Sequence, residues 1–136
     1  METGIYAAET DKKMDDFLDA LRKEAEKAGF VMHNEENMYM ADTLGRHGVE
    51  LPDDFDLHMI QICKPKKAGP SLHSNPERAT LMPKFVNTFT RDGKVQIRML
   101  IYGTEMVKEL VNDADFPESL STSYKALMDI IERARK

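Results

Sequence analysis

The chain has 136 residues, of which 41% are hydrophobic, so a single domain can bury a core without a metal or a disulfide. Its single cysteine excludes an internal disulfide. No leader-like segment and no run of about 18 apolar residues is present, so we expect a cytoplasmic protein without membrane contact.

Charge is distributed unevenly along the chain, although the formal net charge is only −5. Residues 1–60 carry 15 acidic and 6 basic side chains, whereas residues 61–100 carry 2 acidic and 8 basic ones. A basic segment of this size in an acidic chain argues against a nucleic-acid partner, because nucleic-acid-binding domains are usually basic as a whole. It suits a small anion or an acidic protein partner.

The N-terminal half alternates strands and helices. The segment "GIYAAET" (4–10) predicts a strand, and apolar residues at three- and four-residue intervals predict a helix from Thr10, a possible N-cap, to Gly29. "FVMH" (30–33) reads as a second strand. A short helix over 36–48 follows, ended by a glycine, and an acidic loop leads out of it.

The second half begins with the strongest strand signal, "LHMIQIC" (57–63), which ends at Cys63. A helix is predicted from Pro65 to about Ser74, and "RDG" predicts a hairpin turn between strands 84–90 and 94–102. Two closing helices are expected, one capped by Thr104 and one from about Ser121. The order βαβαβαββαα predicts a single α+β domain over residues 1–136: a two-layer sandwich with helices on one face of a mixed or antiparallel sheet.

Several short motifs resemble those of domain-of-unknown-function family 302. They are the Cys-x-Pro at Cys63 and Pro65, the later Pro76, and the apolar-Pro pair at Met82 and Pro83. The resemblance covers roughly residues 10–135. It implies a small fold related in topology to half of the TATA-binding protein, often assembled as a homodimer, with no established activity.

The chain departs from this family at Lys84, where many relatives carry a second cysteine directly after the apolar-Pro pair. This departure argues against dithiol or two-cysteine metal chemistry, and we expect no metal or cofactor. The methionine-rich stretch that holds His33, Met38 and Met40 could supply soft ligands for copper(I) or haem iron, but methionine more often fills core space.

Cys63 is the candidate reactive residue because it ends a strand and precedes a helix start. Backbone N–H groups at a helix start favour a thiolate, and Lys64, Lys66 and Lys67 add positive charge. The alternative is a buried cysteine that serves packing and stays protonated, because burial raises a thiol pKa.

The basic segment gives two hypotheses from different classes. In the first, the chain is a non-enzymatic binding module that holds a small anion or an acidic partner; its candidate binding residues are Lys64, Lys66, Lys67, His73, Arg78 and Lys84. We expect the five lysine and arginine side chains to form one positive surface. In the second, Cys63 performs thiol chemistry, as a persulfide sulfur carrier or as a thiol-reactive enzyme.

Overall fold

A computed structural model describes residues 1–136, and its centre is one five-stranded sheet. The strands are β1 (Gly4–Thr10), β2 (Val31–Met32), β3 (His58–Cys63), β4 (Lys84–Arg91) and β5 (Lys94–Ile101). They lie in the order β1-β5-β4-β3-β2, and every neighbouring pair is antiparallel. The short β2 and the long β1 are the two edge strands.

The helices follow the predicted order. They are α1 (Met14–Lys27), α2 (Met40–Gly45), α3 (Pro65–Ser74), a 3-10 helix (Pro76–Leu81), α4 (Thr104–Leu110) and α5 (Phe116–Ala134). None of them combines the length and the apolar composition that crossing a bilayer requires.

The helices together with the sheet confirm the predicted α+β class. The sheet is purely antiparallel rather than mixed. The topological relation to the TATA-binding protein stays a prediction.

One face of the sheet, which we call the inner face, forms the core with the helices. Side chains alternate along a strand, so every second residue of β3, β4 and β5 lies on this face, including Ile60, Val86 and Ile97, all fully buried. Helices α1 and α5 pack against each other and supply Phe17 and Tyr124 to the same core. The opposite, outer face has no such apolar cover: Ile5 is 61% exposed and Leu100 is 45% exposed.

The β4–β5 hairpin turns where the Asp-Gly signal predicts. Asp92 and Gly93 have φ values of 54° and 77°, and they link the paired residues Arg91 and Lys94. Two consecutive residues with positive φ match the type I′ turn, whose twist suits an antiparallel hairpin. Glycine adopts this conformation without strain, and aspartate tolerates it better than most residues do.

Three helix starts differ from the sequence prediction. Thr104 does not cap α4 but is its first residue, and Gly103 is the N-cap. Thr10 does not cap α1, which begins at Met14; Thr10 ends β1 instead, and its hydroxyl donates to the Arg135 carbonyl at 2.7 Å. Helix α5 begins at Phe116 rather than Ser121. Pro117 lies in its first turn, where the fixed φ of proline suits a helix and its missing N–H has no role.

The predicted helix over 36–48 is reduced to the six-residue α2, because the preceding segment pairs with the sheet edge. The Asn34 side chain accepts from the Gln61 N–H at 2.7 Å and donates to the Met59 carbonyl at 3.0 Å. Tyr39 then forms an isolated bridge to His58. These contacts provide hydrogen-bond partners for backbone N–H and C=O groups at the edge of β3 that the two residues of β2 do not reach.

A buried ion pair joins the 3-10 helix to the start of α5. Arg78 donates to both carboxylate oxygens of Asp113, at 2.6 and 2.9 Å, and Asn75 donates to the same carboxylate at 2.9 Å. The backbone N–H groups of Asp115 and Phe116 donate to it as well. Hydrogen bonds from Arg78, then from Asn75, hold the pKa of Asp113 well below its usual range.

We expect Asp113→Asn to weaken the acid dependence of stability. A depressed folded-state pKa contributes stability that is present above the unfolded pKa, about 3.9, and lost as pH falls below it. The wild type should therefore lose more stability between pH 7 and pH 3 in urea titrations than the variant does. The control is Asp129→Asn, because Asp129 is exposed on α5, the helix that Asp113 precedes. Equal pH dependence in the wild type and Asp113→Asn would contradict this account.

Candidate functional site

A pocket of about 420 Å³ opens between α3, the start of β4 and the first half of α5. Ten of its 21 lining residues are hydrophobic, and its polar groups come from β3, α3, β4, α5 and the segment after β2. The residues that line it are Phe30, His33, Gln61, Ile62, Cys63, Lys64, Pro65, Lys67, Ala68, Gly69, Ser71, Leu72, Ala79, Met82, Pro83, Lys84, Phe116, Ser119, Leu120, Ser123 and Leu127. Three lysines belong to this lining, and no aspartate or glutamate does.

Lys84 enters the pocket from the first position of β4. It pairs with Ile62 of β3 and shares the inner-face parity of Val86, so its side chain lies on the helix side of the sheet. Its amine donates to the Met82 carbonyl at 3.3 Å and lies 5.8 Å from the centre of the Tyr124 ring. No carboxylate pairs with it.

Burial lowers the pKa of Lys84 to about 8, because the charged amine loses its water there. The positive charge of Lys67 lowers this pKa further, and Cys63 opposes the shift slightly. At pH 7 the amine is thus mainly protonated, yet a substantial neutral fraction appears one pH unit higher. Lys84 can serve as a cation or as a free amine within the physiological range.

Lys67 enters the same pocket from α3 and is held in place by α5. Its amine donates to the Ser119 carbonyl at 3.0 Å and to the Ser123 hydroxyl at 2.8 Å. Burial, with a smaller contribution from Lys64, lowers its pKa as well. These two acceptors fix the position of the charge but leave it without a counterion.

Cys63 lies at the end of β3, as predicted, and is half-buried. Burial raises the pKa of the Cys63 thiol, and the opposing effect of Lys84 is smaller. The thiolate that the sequence suggested is therefore not favoured. The adjacent Lys64 and Lys66 are exposed to solvent, which screens their charges, so desolvation outweighs them.

The structure brings together only part of the predicted positive surface. Lys64, Lys67 and Lys84 line the pocket, and the amine of Lys64 lies 5.7 Å from the Phe30 ring. Lys66 and His73 are exposed and lie outside the lining. The prediction that Arg78 binds an anion is wrong, because its guanidinium donates to both carboxylate oxygens of Asp113 and is largely buried there.

Sequence analysis missed the residues that α5 contributes. Ser119 and Ser123 are four positions apart, so they lie on the same side of the helix and both meet Lys67. That spacing was visible in the sequence, but its partner on α3 was not. In the methionine-rich segment Met38 is buried in the core, and no cluster of three or more His, Cys, Asp or Glu side chains is placed to bind a metal.

Comparison with known proteins connects this fold to one family. The model of the domain of unknown function DUF302 matches residues 6–134. A solved structure, the "uncharacterized conserved protein DUF302 from Bacillus stearothermophilus", superposes with a TM-score of 0.78 over 96% of this chain and 98% of that one, at 19% identity. No curated protein matches. Because the family model spans nearly the whole chain, including the pocket, this protein belongs to the DUF302 family.

Proposed function

We propose that this protein binds a small organic anion in the pocket beside Cys63. The observation that carries the proposal is the charge of the lining: Lys64, Lys67 and Lys84 contribute positive charge, and no carboxylate offsets it. Lys64 is exposed, whereas Lys67 and Lys84 are half-buried and Lys84 is the most strongly desolvated of the three; charges removed from water in proteins are normally paired. An anionic ligand would supply the missing counter-charge.

The apolar walls indicate what else the ligand contains. Phe30, Leu72, Met82 and Leu120 line the same space, so a ligand with an apolar body would bury hydrophobic surface there. Inorganic ions lack such a body. The concave shape also favours a small molecule over the acidic surface of a protein partner, which would contact only the rim of the pocket.

The pKa of Lys84 predicts how the affinity for an anion changes with pH. The groups that act on its charge are Lys67 from α3 and Cys63 from β3, and its amine also lies over the Tyr124 ring of α5. A bound carboxylate favours the protonated amine. By linkage, the anion binds more weakly as pH rises through about 8, where free Lys84 loses its charge.

We expect benzoate or hexanoate to bind the wild type at pH 7 and to bind several-fold more weakly at pH 9.5. Both probes stay ionised over this range, so the change reports the protein. Lys84→Met should weaken binding at pH 7 by roughly 10- to 100-fold, the value of a hydrogen bond to a charged group. Titration calorimetry of both proteins at both pH values measures these effects.

The matched control is Lys66→Met, because Lys66 lies in the same basic run but outside the pocket lining. Lys66→Met should bind benzoate with the affinity of the wild type. Lys67→Met should bind benzoate more weakly than the wild type. An equal loss of affinity in the Lys66 and Lys84 variants would show that general surface charge, and not the pocket, attracts the anion. Absence of binding by both probes would overturn the proposal.

Thiol chemistry at Cys63, as a persulfide sulfur carrier or a thiol-reactive enzyme, is the second candidate. Its support is that the half-buried thiol lines the same pocket as Lys84. The raised pKa counts against it, since the thiolate is the nucleophile.

We expect iodoacetamide to alkylate Cys63 about tenfold more slowly than free cysteine at pH 7.5, because the raised pKa and partial burial both reduce the available thiolate. Lys84→Met should slow the reaction further, because Lys84 lowers the thiol pKa. Mass spectrometry of timed samples gives both rates. Alkylation faster than that of free cysteine would favour the thiol function over simple anion binding.

We further propose that two copies associate through the outer face and its β1 edge. The support is a group of apolar side chains on this face, with Ile5 and Leu100 exposed and Phe85 half-buried; Phe89 is also half-buried, beneath the side chains of Arg91 and Arg98. The wild type should sediment as a dimer at tens of micromolar, and Leu100→Lys should shift it toward monomer. A wild-type monomer at this concentration would contradict the assembly.

A further inference from the structure

We propose that Lys84 is an amine nucleophile that condenses with the carbonyl carbon of an anionic oxo compound, such as a 2-oxo acid, held in the pocket. This inference rests on the proposed anion binding and names the ligand class. It assigns different tasks to the two half-buried lysines: Lys67 holds the carboxylate, and Lys84 forms the covalent bond.

The hydrogen bonds of the two amines support this division. The Lys67 amine has two acceptors on α5, Ser119 and Ser123, both within 3.0 Å. The Lys84 amine has a single acceptor, the Met82 carbonyl, at the long distance of 3.3 Å. Lys67 is therefore a fixed cation, whereas Lys84 is free to present its nitrogen to a ligand.

The protonation state of Lys84 is suited to attack on a carbonyl carbon. An amine needs a free electron pair to react, and a lysine with an ordinary pKa of about 10.4 is neutral in only roughly 0.1% of molecules at pH 7.5. Burial and Lys67 lower the pKa of Lys84 to about 8. Roughly a quarter of the molecules then carry a neutral amine at that pH. Desolvation beside a second cation is an established way to activate a lysine.

The chemical step needs no oxidant or reductant. The neutral nitrogen forms a bond to the carbonyl carbon, and the π electron pair of the C=O bond moves to oxygen. One N–H proton is transferred to that oxygen through water, which gives a carbinolamine. The C–O bond then breaks, the second amine proton leaves with the hydroxyl as water, and a C=N bond remains. Net, one carbonyl compound and one amine give one imine and one water.

The test uses glyoxylate as the probe and sodium cyanoborohydride to reduce and trap the imine, followed by peptide mass spectrometry of the wild-type protein. We expect Lys84 to be labelled at least about tenfold faster than exposed Lys66, because its neutral fraction is larger. At glyoxylate concentrations too low to fill the pocket, the labelling rate should rise with a midpoint near pH 8. Equal labelling of the two lysines would overturn the inference.

A second comparison separates the carboxylate contact from amine reactivity. Acetaldehyde presents an aldehyde without a charge, and exposed Lys66 reports the intrinsic reactivity of the two probes. The ratio of glyoxylate labelling to acetaldehyde labelling should therefore be larger at Lys84 than at Lys66, which we call the carboxylate preference. Lys67→Met should remove most of this preference while Lys84 remains reactive toward acetaldehyde. A preference that persists in Lys67→Met would overturn the assigned role of Lys67. Circular dichroism of the variant checks that it is folded.

Benzoate distinguishes failure of this inference from failure of the proposed function, because it is an anion without a carbonyl carbon that can condense. If benzoate binds in a Lys84-dependent manner but glyoxylate does not label Lys84 preferentially, the nucleophile assignment is wrong and anion binding stands. If benzoate neither binds nor protects Lys84 from glyoxylate, the proposed anion site itself is wrong. Protection together with preferential labelling supports both.

Discussion

The alternation of side chains along β4 places Lys84 on the face of the sheet that the helices cover. Val86 and Thr88 follow it on that face, and both are fully buried. The pairing of Lys84 with Ile62 fixes this direction, because a shift of one residue would move the whole row to the other face. A lysine at the first position of this row must occupy the space at the edge of the core, and the pocket is that space.

The neighbouring elements determine which cations of the basic segment have a counterion and which do not. Arg78, the other buried cation of the basic segment, is neutralised by Asp113, and the same carboxylate accepts hydrogen bonds from the start of α5. That contact fixes α5, which in turn presents Ser119 and Ser123 to Lys67. The acceptors there are neutral, so the charge of Lys67 persists and acts on Lys84. The low pKa of Lys84 thus depends on packing as well as on burial.

Cys63 shows how the same environment acts differently on an acid. Removing water disfavours the charged form of any group, so burial raises the pKa of a thiol and lowers that of an amine. In this pocket the nearby lysine does not reverse the effect on Cys63. The environment that hinders a thiolate at Cys63 therefore favours a neutral amine at Lys84.

Much of the fold was predictable from the sequence, because local patterns encode it. Periodicity indicated the element order and the position of Cys63 at a strand end, and the Asp-Gly dipeptide indicated the turn at Asp92 and Gly93. The direction of Lys84 was not readable in the same way, since "KFVNTF" carries apolar residues on both parities, with Phe85 and Phe89 opposing Val86. The pairing of Arg78 with Asp113 joins residues far apart in the chain, and no local signal predicts it.

The titration of the Lys84 amine tests the central claim most directly, because anion binding and nucleophilic reactivity both depend on a buried, unpaired amine. Two-dimensional NMR of protein labelled with ¹³C-lysine follows the Cε resonance from pH 6 to 11, and Lys84→Met assigns it. The account predicts a midpoint of about 8 that rises when benzoate is added. A midpoint near the ordinary value of about 10.4, unchanged by benzoate, would contradict it.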